Sequence, residues 1–135
     1  MRGEELFYHR EKTDWDPLTH KIIGCAIEVH RALGPGLLES AYRQCLAHEL
    51  HLADIAFSME RPLPVLYKDV RLDCGYRIDL LVDDEVVVEL KSVNELAPIH
   101  QAQILTYMKL AEVSTGLLIN FNVTILTDGV KRFKL

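Results

Sequence analysis

The chain has 135 residues, of which 49% are hydrophobic and 26% charged, with a formal net charge of −5. That length suits one domain with a single sizeable core, and the composition excludes general disorder. The acidic balance excludes a surface that attracts nucleic acid or anionic lipid all over, so a polyanionic partner has to be met by a local basic surface or a metal ion.

Cys25, Cys45 and Cys74 are an odd number of cysteines without CxxC spacing, which predicts reduced, mostly packed thiols rather than a disulfide frame or a zinc site. The opening MRGEELFYHREKTDWD is too charged for a signal peptide, and no apolar run reaches membrane-spanning length. The expectation is a soluble cytoplasmic protein with no membrane partner.

In chain order, residues 1–15 lack periodicity and are expected to form a loose N-terminal arm, with one domain over 16–135. Asp16-Pro17 is a helix start, an N-cap followed by proline at the first helical position. Leu18, Ile22, Ile23, Ala26, Ile27, Val29 and Leu33 then recur at helical spacing up to Gly34-Pro35-Gly36. A second helix is predicted from Leu37 to about Leu52. Pro62 and Pro64 break helical character, and FSMERPLPVLY is expected to be an extended edge strand, where proline is tolerated. Two strands follow within GYRIDLLVDDEVVVELKS, residues 75–92, and Pro98 opens a third helix, PIHQAQILTYMKLAE. TGLLINF is a short, nearly all-apolar strand, as expected where both faces are covered, and Asp128-Gly129 signals a turn before a basic closing strand. The order is that of an α/β domain.

The hairpin within 75–92 carries charges in apolar runs: Asp79, Glu89 and Lys91. Side chains alternate along a strand, so the loop length decides what faces what. A two-residue loop at Asp83-Asp84 would set Ile78 beside Glu89 and mix charge with core. A three-residue loop, Asp83 to Glu85, pairs Val82 with Val86, Leu80 with Val88 and Ile78 with Leu90, making one face wholly apolar. It also places Asp79 opposite Glu89 and Arg77 opposite Lys91. Directly opposed carboxylates repel unless a cation lies between them, and magnesium is the hard ion such groups hold. Set against this, charges on the open face of a hairpin usually meet only water.

Asp79 followed by Glu89-Leu90-Lys91 resembles the PD-(D/E)xK nuclease superfamily signature, with Ile78 where that signature often has proline. GLLESAY, with Gly36, Glu39 and Tyr42, resembles the pattern that names the GxxExxY family, and Gln103 to Tyr107 resembles the QxxxY motif of the RecB-like branch. The resemblance runs from about Asp16 through Lys134. It implies a single restriction-endonuclease-like domain, a mixed central sheet of about four to five strands flanked by helices.

The resemblance further implies Mg2+ or Mn2+ held by Asp79, Glu89 and the Leu90 carbonyl, with Glu39 a further ligand, directly or through water. Glu39 read by itself also suits a salt bridge or the first turn of a helix, where the dipole favours acids. Lys91 would position or deprotonate the attacking water or stabilise the transition state, with electrostatic stabilisation the primary assignment. Gln103 and Tyr107, four apart on one helix face, would flank the catalytic centre, with His100 an accessory one turn earlier. Tyr42 is expected to be a packing residue with a hydrogen-bonded hydroxyl. Arg77, Lys109, Lys131, Arg132 and Lys134 are candidate phosphate contacts.

Two functions compete: a metal-dependent phosphodiesterase acting on DNA rather than RNA, and a non-catalytic nucleic-acid- or protein-binding module that keeps the fold. A small hydrolase acting on a nucleotide is a third, remoter one. The complete acid-plus-lysine set favours the first. The bare length leaves little surface for target recognition, which a homodimer or a protein partner would extend.

Overall fold

Helix α1 (Pro17–Leu33) starts where the Asp16-Pro17 pair predicts: the Asp16 carboxylate accepts from the Thr19 N–H at 2.7 Å and from its hydroxyl at 2.8 Å. It stops at Gly34, whose φ of 69° suits a residue without a side chain. The computed structural model describes residues 16–135, so the arm expected at 1–15 lies outside the described residues. Helix α2 (Glu39–Leu52) follows the glycine turn, two residues later than the predicted start.

Strand β1 (Phe57–Pro62) is the predicted proline-bearing edge strand, but the run does not continue as one strand. Instead β2 (Val65–Tyr67) and β3 (Val70–Leu72) pair as a separate two-stranded ribbon with mostly exposed side chains. Strand β4 (Arg77–Val82), strand β5 (Val86–Lys91), helix α3 (Pro98–Ala111), strand β6 (Thr115–Asn120) and strand β7 (Val130–Lys134) complete the domain, with a short 3-10 turn at Leu126–Gly129 before β7.

The main sheet has the order β1-β4-β5-β6-β7. Its pairs are antiparallel except β5 and β6, which run parallel because α3 carries the chain across between them. The turn between β4 and β5 is the predicted three-residue one: Val82 pairs with Val86 and Leu80 with Val88, while Asp83 and Asp84 both take left-handed φ.

Apolar surface is covered on both faces, as expected of a sheet flanked by helices on each side. On one side Leu80, Val82, Val86, Val88 and Leu90 meet Ile22, Ala26, Tyr42, Leu46 and Leu50 of α1 and α2. On the other, Leu81, Val87 and Leu118 meet Ile104, Tyr107 and Met108 of α3. Ile78 joins this second cluster rather than the face of Leu80 and Val82, so the predicted segregation of all core to one face and all charge to the other is corrected: alternation changes hand at Asp79. The fold is the expected restriction-endonuclease-like α/β domain. The thiols are free; Cys25 and Cys45 are half-buried, whereas Cys74 is exposed rather than packed. Among the described residues no helix is long and apolar enough to cross a membrane.

Candidate active site

Past the Leu80–Val88 pair the ladder between β4 and β5 ends, while β4 stays on β1 and β5 stays on β6. The two strands therefore fork where Asp79 and Glu89 would face each other. The expected ladder pairs of Ile78 with Leu90 and Arg77 with Lys91 do not form, because carboxylates take the place of backbone acceptors. The Asp79 N–H donates to Glu89 Oε2 at 2.8 Å, and the Leu90 N–H donates to Asp79 Oδ2 at 2.9 Å. The β1–β4 register also skips the Glu60–Asp79 pair, and Glu60 takes a φ of 52°. Asp79 is thus outside both neighbouring ladders. A backbone N–H stripped of its ladder partner needs an acceptor, and a carboxyl oxygen supplies one.

Burial sets the electrostatics. Glu89 is 5% exposed, and that burial, together with the Asp79 charge, pushes its carboxyl up to about 8 despite the Asp79 N–H and Lys91. Burial also raises Asp79, against the pull of the Leu90 N–H, Arg43 and Lys91. Glu39, the first residue of α2, adds a further charge that raises both acids. Its Oε2 accepts from the Ser92 N–H at 3.4 Å, just past the end of β5. Among the described residues no three His, Cys, Asp or Glu side chains stand close enough to hold a metal as placed. Asp79 and Glu89 are the close pair, and Glu39 stands off beside them.

The Leu90 N–H points into the fork, whereas the Lys91 carbonyl points the other way and accepts from the Phe121 N–H at 2.9 Å. Since the N–H and C=O of one strand residue point to the same edge, the Leu90 carbonyl also faces the β4 side. The donors offered at the fork are therefore all oxygens, with more negative charge than the local cations balance. Such a set fits a hard divalent ion.

On the α3 side, Gln103 Nε2 donates to Tyr107 Oη at 3.1 Å. The Tyr107 hydroxyl is pushed up by burial and by the charge of Glu89. Lys91, Gln103, Tyr107 and His100 line a common groove of about 660 Å3. His100 Nδ1 accepts from the Ala97 N–H at 3.0 Å, so it caps the start of α3. Tyr42 is fully buried, stacked on Phe121 with ring centroids 4.3 Å apart; its hydroxyl donates to the Gly34 carbonyl and accepts from the Leu37 N–H. It braces the turn that presents Glu39.

Of the candidate phosphate contacts, Lys109 lines a neighbouring groove. Arg132 is buried and donates to Asp16 at 2.9 Å, and Lys134, which donates to Thr115, lies 3.8 Å from the same Asp16 carboxylate, so both serve the start of α1 instead. Sequence reasoning missed Arg43 and Asn120. Arg43 Nη1 lies 3.5 Å from Asp79 Oδ1 and its Nη2 3.6 Å from Glu60, four residues from Glu39 on one helix face. Asn120, a lone amide closing an apolar strand, accepts from the Val93 N–H and donates to its carbonyl, so it fixes the loop after Lys91 and Ser92.

A family model described as the PD-(D/E)XK nuclease superfamily matches residues 16–133. The chain belongs to this superfamily. No curated protein and no solved structure matches it. The match takes in Glu39, Asp79, Glu89, Leu90, Lys91, Gln103 and Tyr107, so the superfamily region includes the fork and the groove beside it. Nucleases of the superfamily typically use divalent metals, and the anionic oxygen set at the fork suits one.

Proposed function

We propose that this chain is a metal-dependent nuclease, with residues 16–135 as its domain, and that within the superfamily it is a GxxExxY protein akin to the RecB-like branch. The observation that carries the reading is the reciprocal pair at the fork: the half-buried Asp79 and the buried Glu89 carboxylates, tied to each other's strands and both raised. Asp79, Glu89 and the Leu90 carbonyl would hold Mg2+ or Mn2+, with Glu39 as an outer ligand. When bound, such an ion acidifies water and neutralises charge on a phosphate oxygen.

The protein's own groups do the rest. Lys91, two residues past Glu89 on the same strand, sets an ammonium at the mouth of the groove, where it stabilises charge developing on the phosphate. Gln103 and Tyr107 hold each other in place and line the same groove as Lys91. Ser92 and the braced turn at Tyr42 hold Glu39 against the end of β5. DNA is the favoured polymer, and a second copy or a protein partner would extend the short recognition surface.

The test is incubation with single- and double-stranded DNA and RNA in Mg2+ or Mn2+, beside Glu89→Gln and Lys91→Ala. Cleavage by the parent that both substitutions abolish supports the site. Cleavage that survives both overturns it. Mn2+ binding without cleavage of any substrate favours the binding-module reading.

A further inference from the structure

The superfamily match does not say what form of nucleic acid the site takes. The groove that begins at Lys91 is lined by Tyr76, Ile99, His100, Gln103 and Tyr107, mostly apolar surface beside a lysine. Tyr76 is 46% exposed, and a tilted edge contact with Tyr107 (centroids 6.1 Å apart, 64° between planes) fixes its ring. Ile99 is 70% exposed. An open aromatic with apolar neighbours is a poor match for phosphates and sugars, which are what a continuous duplex shows on its outside. It matches the flat face of a base, which only an unpaired or end nucleotide offers.

A second groove, of about 380 Å3, shares Leu110 with the first and is lined by Arg61, Arg71 and Lys109, with Glu112 the opposing acid. Arg61 is 3.1 Å from Asp84 in an exposed pair, which exchanges partners at little cost. In a chain of net charge −5, this cluster supplies the local positive surface that a polyanion requires. The exposed ribbon joins the two: Val65 lines the first groove, and Leu66 and Arg71 line the second. An apolar slot next to the site lysine, continuing into a basic track, has the layout of a path for one strand.

We infer that the substrate is a single polynucleotide strand, whose unpaired base stacks on Tyr76 while its following phosphates run along Arg71 and Lys109. This rests on the nuclease reading of the fork for its direction and deepens it. The test is fluorescence anisotropy with labelled oligo-dT, oligo-U and a blunt self-complementary duplex, with metal chelated so that nothing is cut. Either single strand binds at least about tenfold more tightly than the duplex, Tyr76→Ala removes about tenfold of that, and Tyr76→Phe keeps it. A 2-aminopurine placed in the strand is quenched on binding to the parent protein, a readout that needs no variant to fold. Equal or tighter duplex binding, an unquenched probe, or a folded Tyr76→Ala that binds as the parent does overturns the inference. Duplex cleavage indifferent to Tyr76 would remove the groove and leave the nuclease reading standing. Tyr76-dependent strand binding without cleavage would do the reverse.

Discussion

Glu89 reaches across the fork to accept the Asp79 N–H, and Asp79 answers by accepting from Leu90, the residue after Glu89. Each acid is a structural acceptor for the other's strand, so the site and the sheet are stabilised by the same groups. Their charges oppose each other, and burial raises both.

The pH dependence of the metal-free protein follows. Glu89 gives up its proton near 4.5 in an ordinary setting and near 8 in the folded chain. Between those values the folded state binds more protons than the unfolded one, so stability falls as pH rises through that window. The benefit is complete below about 4.5 and gone above about 8, with Asp79 titrating as part of the same unit. Urea midpoints measured with chelator across this range fall with pH, and Glu89→Gln flattens the slope. A midpoint that climbs with pH and does not respond to Glu89→Gln contradicts the assignment.

Metal binding reverses that trend and carries a proton signature. A carboxylate must be ionised to hold a cation, so binding releases the proton that Glu89 keeps. Titration calorimetry with Mn2+ in two buffers of different ionisation enthalpy should show about one proton released per ion well below pH 8, and almost none well above it. Asp79→Asn weakens binding by about tenfold or more, on the scale by which altered surroundings of a metal change affinity. Binding with no proton release at low pH would remove Glu89 from the ligand set.

Tyr42 tests whether the glycine turn matters to the fork. Its hydroxyl holds the Gly34 carbonyl at 2.6 Å and the Leu37 N–H at 3.1 Å, while Ser92 Oγ donates to the Leu37 carbonyl at 2.6 Å. Tyr42→Phe keeps the stacking on Phe121 and loses both bonds, at a cost of about 1–3 kcal/mol in urea denaturation. Mn2+ affinity should fall with it if Glu39 is an outer ligand, because the loosened turn leads directly into α2. An unchanged affinity with lowered stability would make Glu39 a helix-start acid only.

The helix boundaries and the hairpin turn were legible because each depends on neighbours in sequence. Asp16 and Pro17 start α1 through local bonds, and three residues from Asp83 to Glu85 set the pairing of Val82 with Val86. The fork was only half legible. Alternation correctly brought Asp79 to Glu89, but it assumes an unbroken ladder, and a carboxylate that replaces a backbone acceptor breaks it, which is why Ile78 changes sides. Arg43 was hidden because its partner Asp79 lies 36 residues away and no pattern links them. The β2–β3 ribbon was hidden because Lys68 and Asp69 make its left-handed turn without the glycine or asparagine that would announce one.

Gly129 offers a test of the far support of the site. A side-chain carbon there would collide with the carbonyl oxygen of Asn120, a backbone atom at the end of β6 that cannot swing away, with Val123 close behind. Asn120 is 2% exposed, and its amide fastens the Val93 segment that follows Lys91 and Ser92. Gly129→Ala therefore acts twice: it overpacks the join between β6 and β7, and it shifts the amide that holds the loop behind the lysine. The stability loss should be about 1–3 kcal/mol in urea denaturation. Nuclease turnover should fall further than binding of a chelated, uncut strand, because the groove on α3 does not depend on Asn120. Asn120→Ala should reproduce the loss of turnover without the overpacking, and full turnover in that variant would mean that the Val93 segment does not set the position of Lys91.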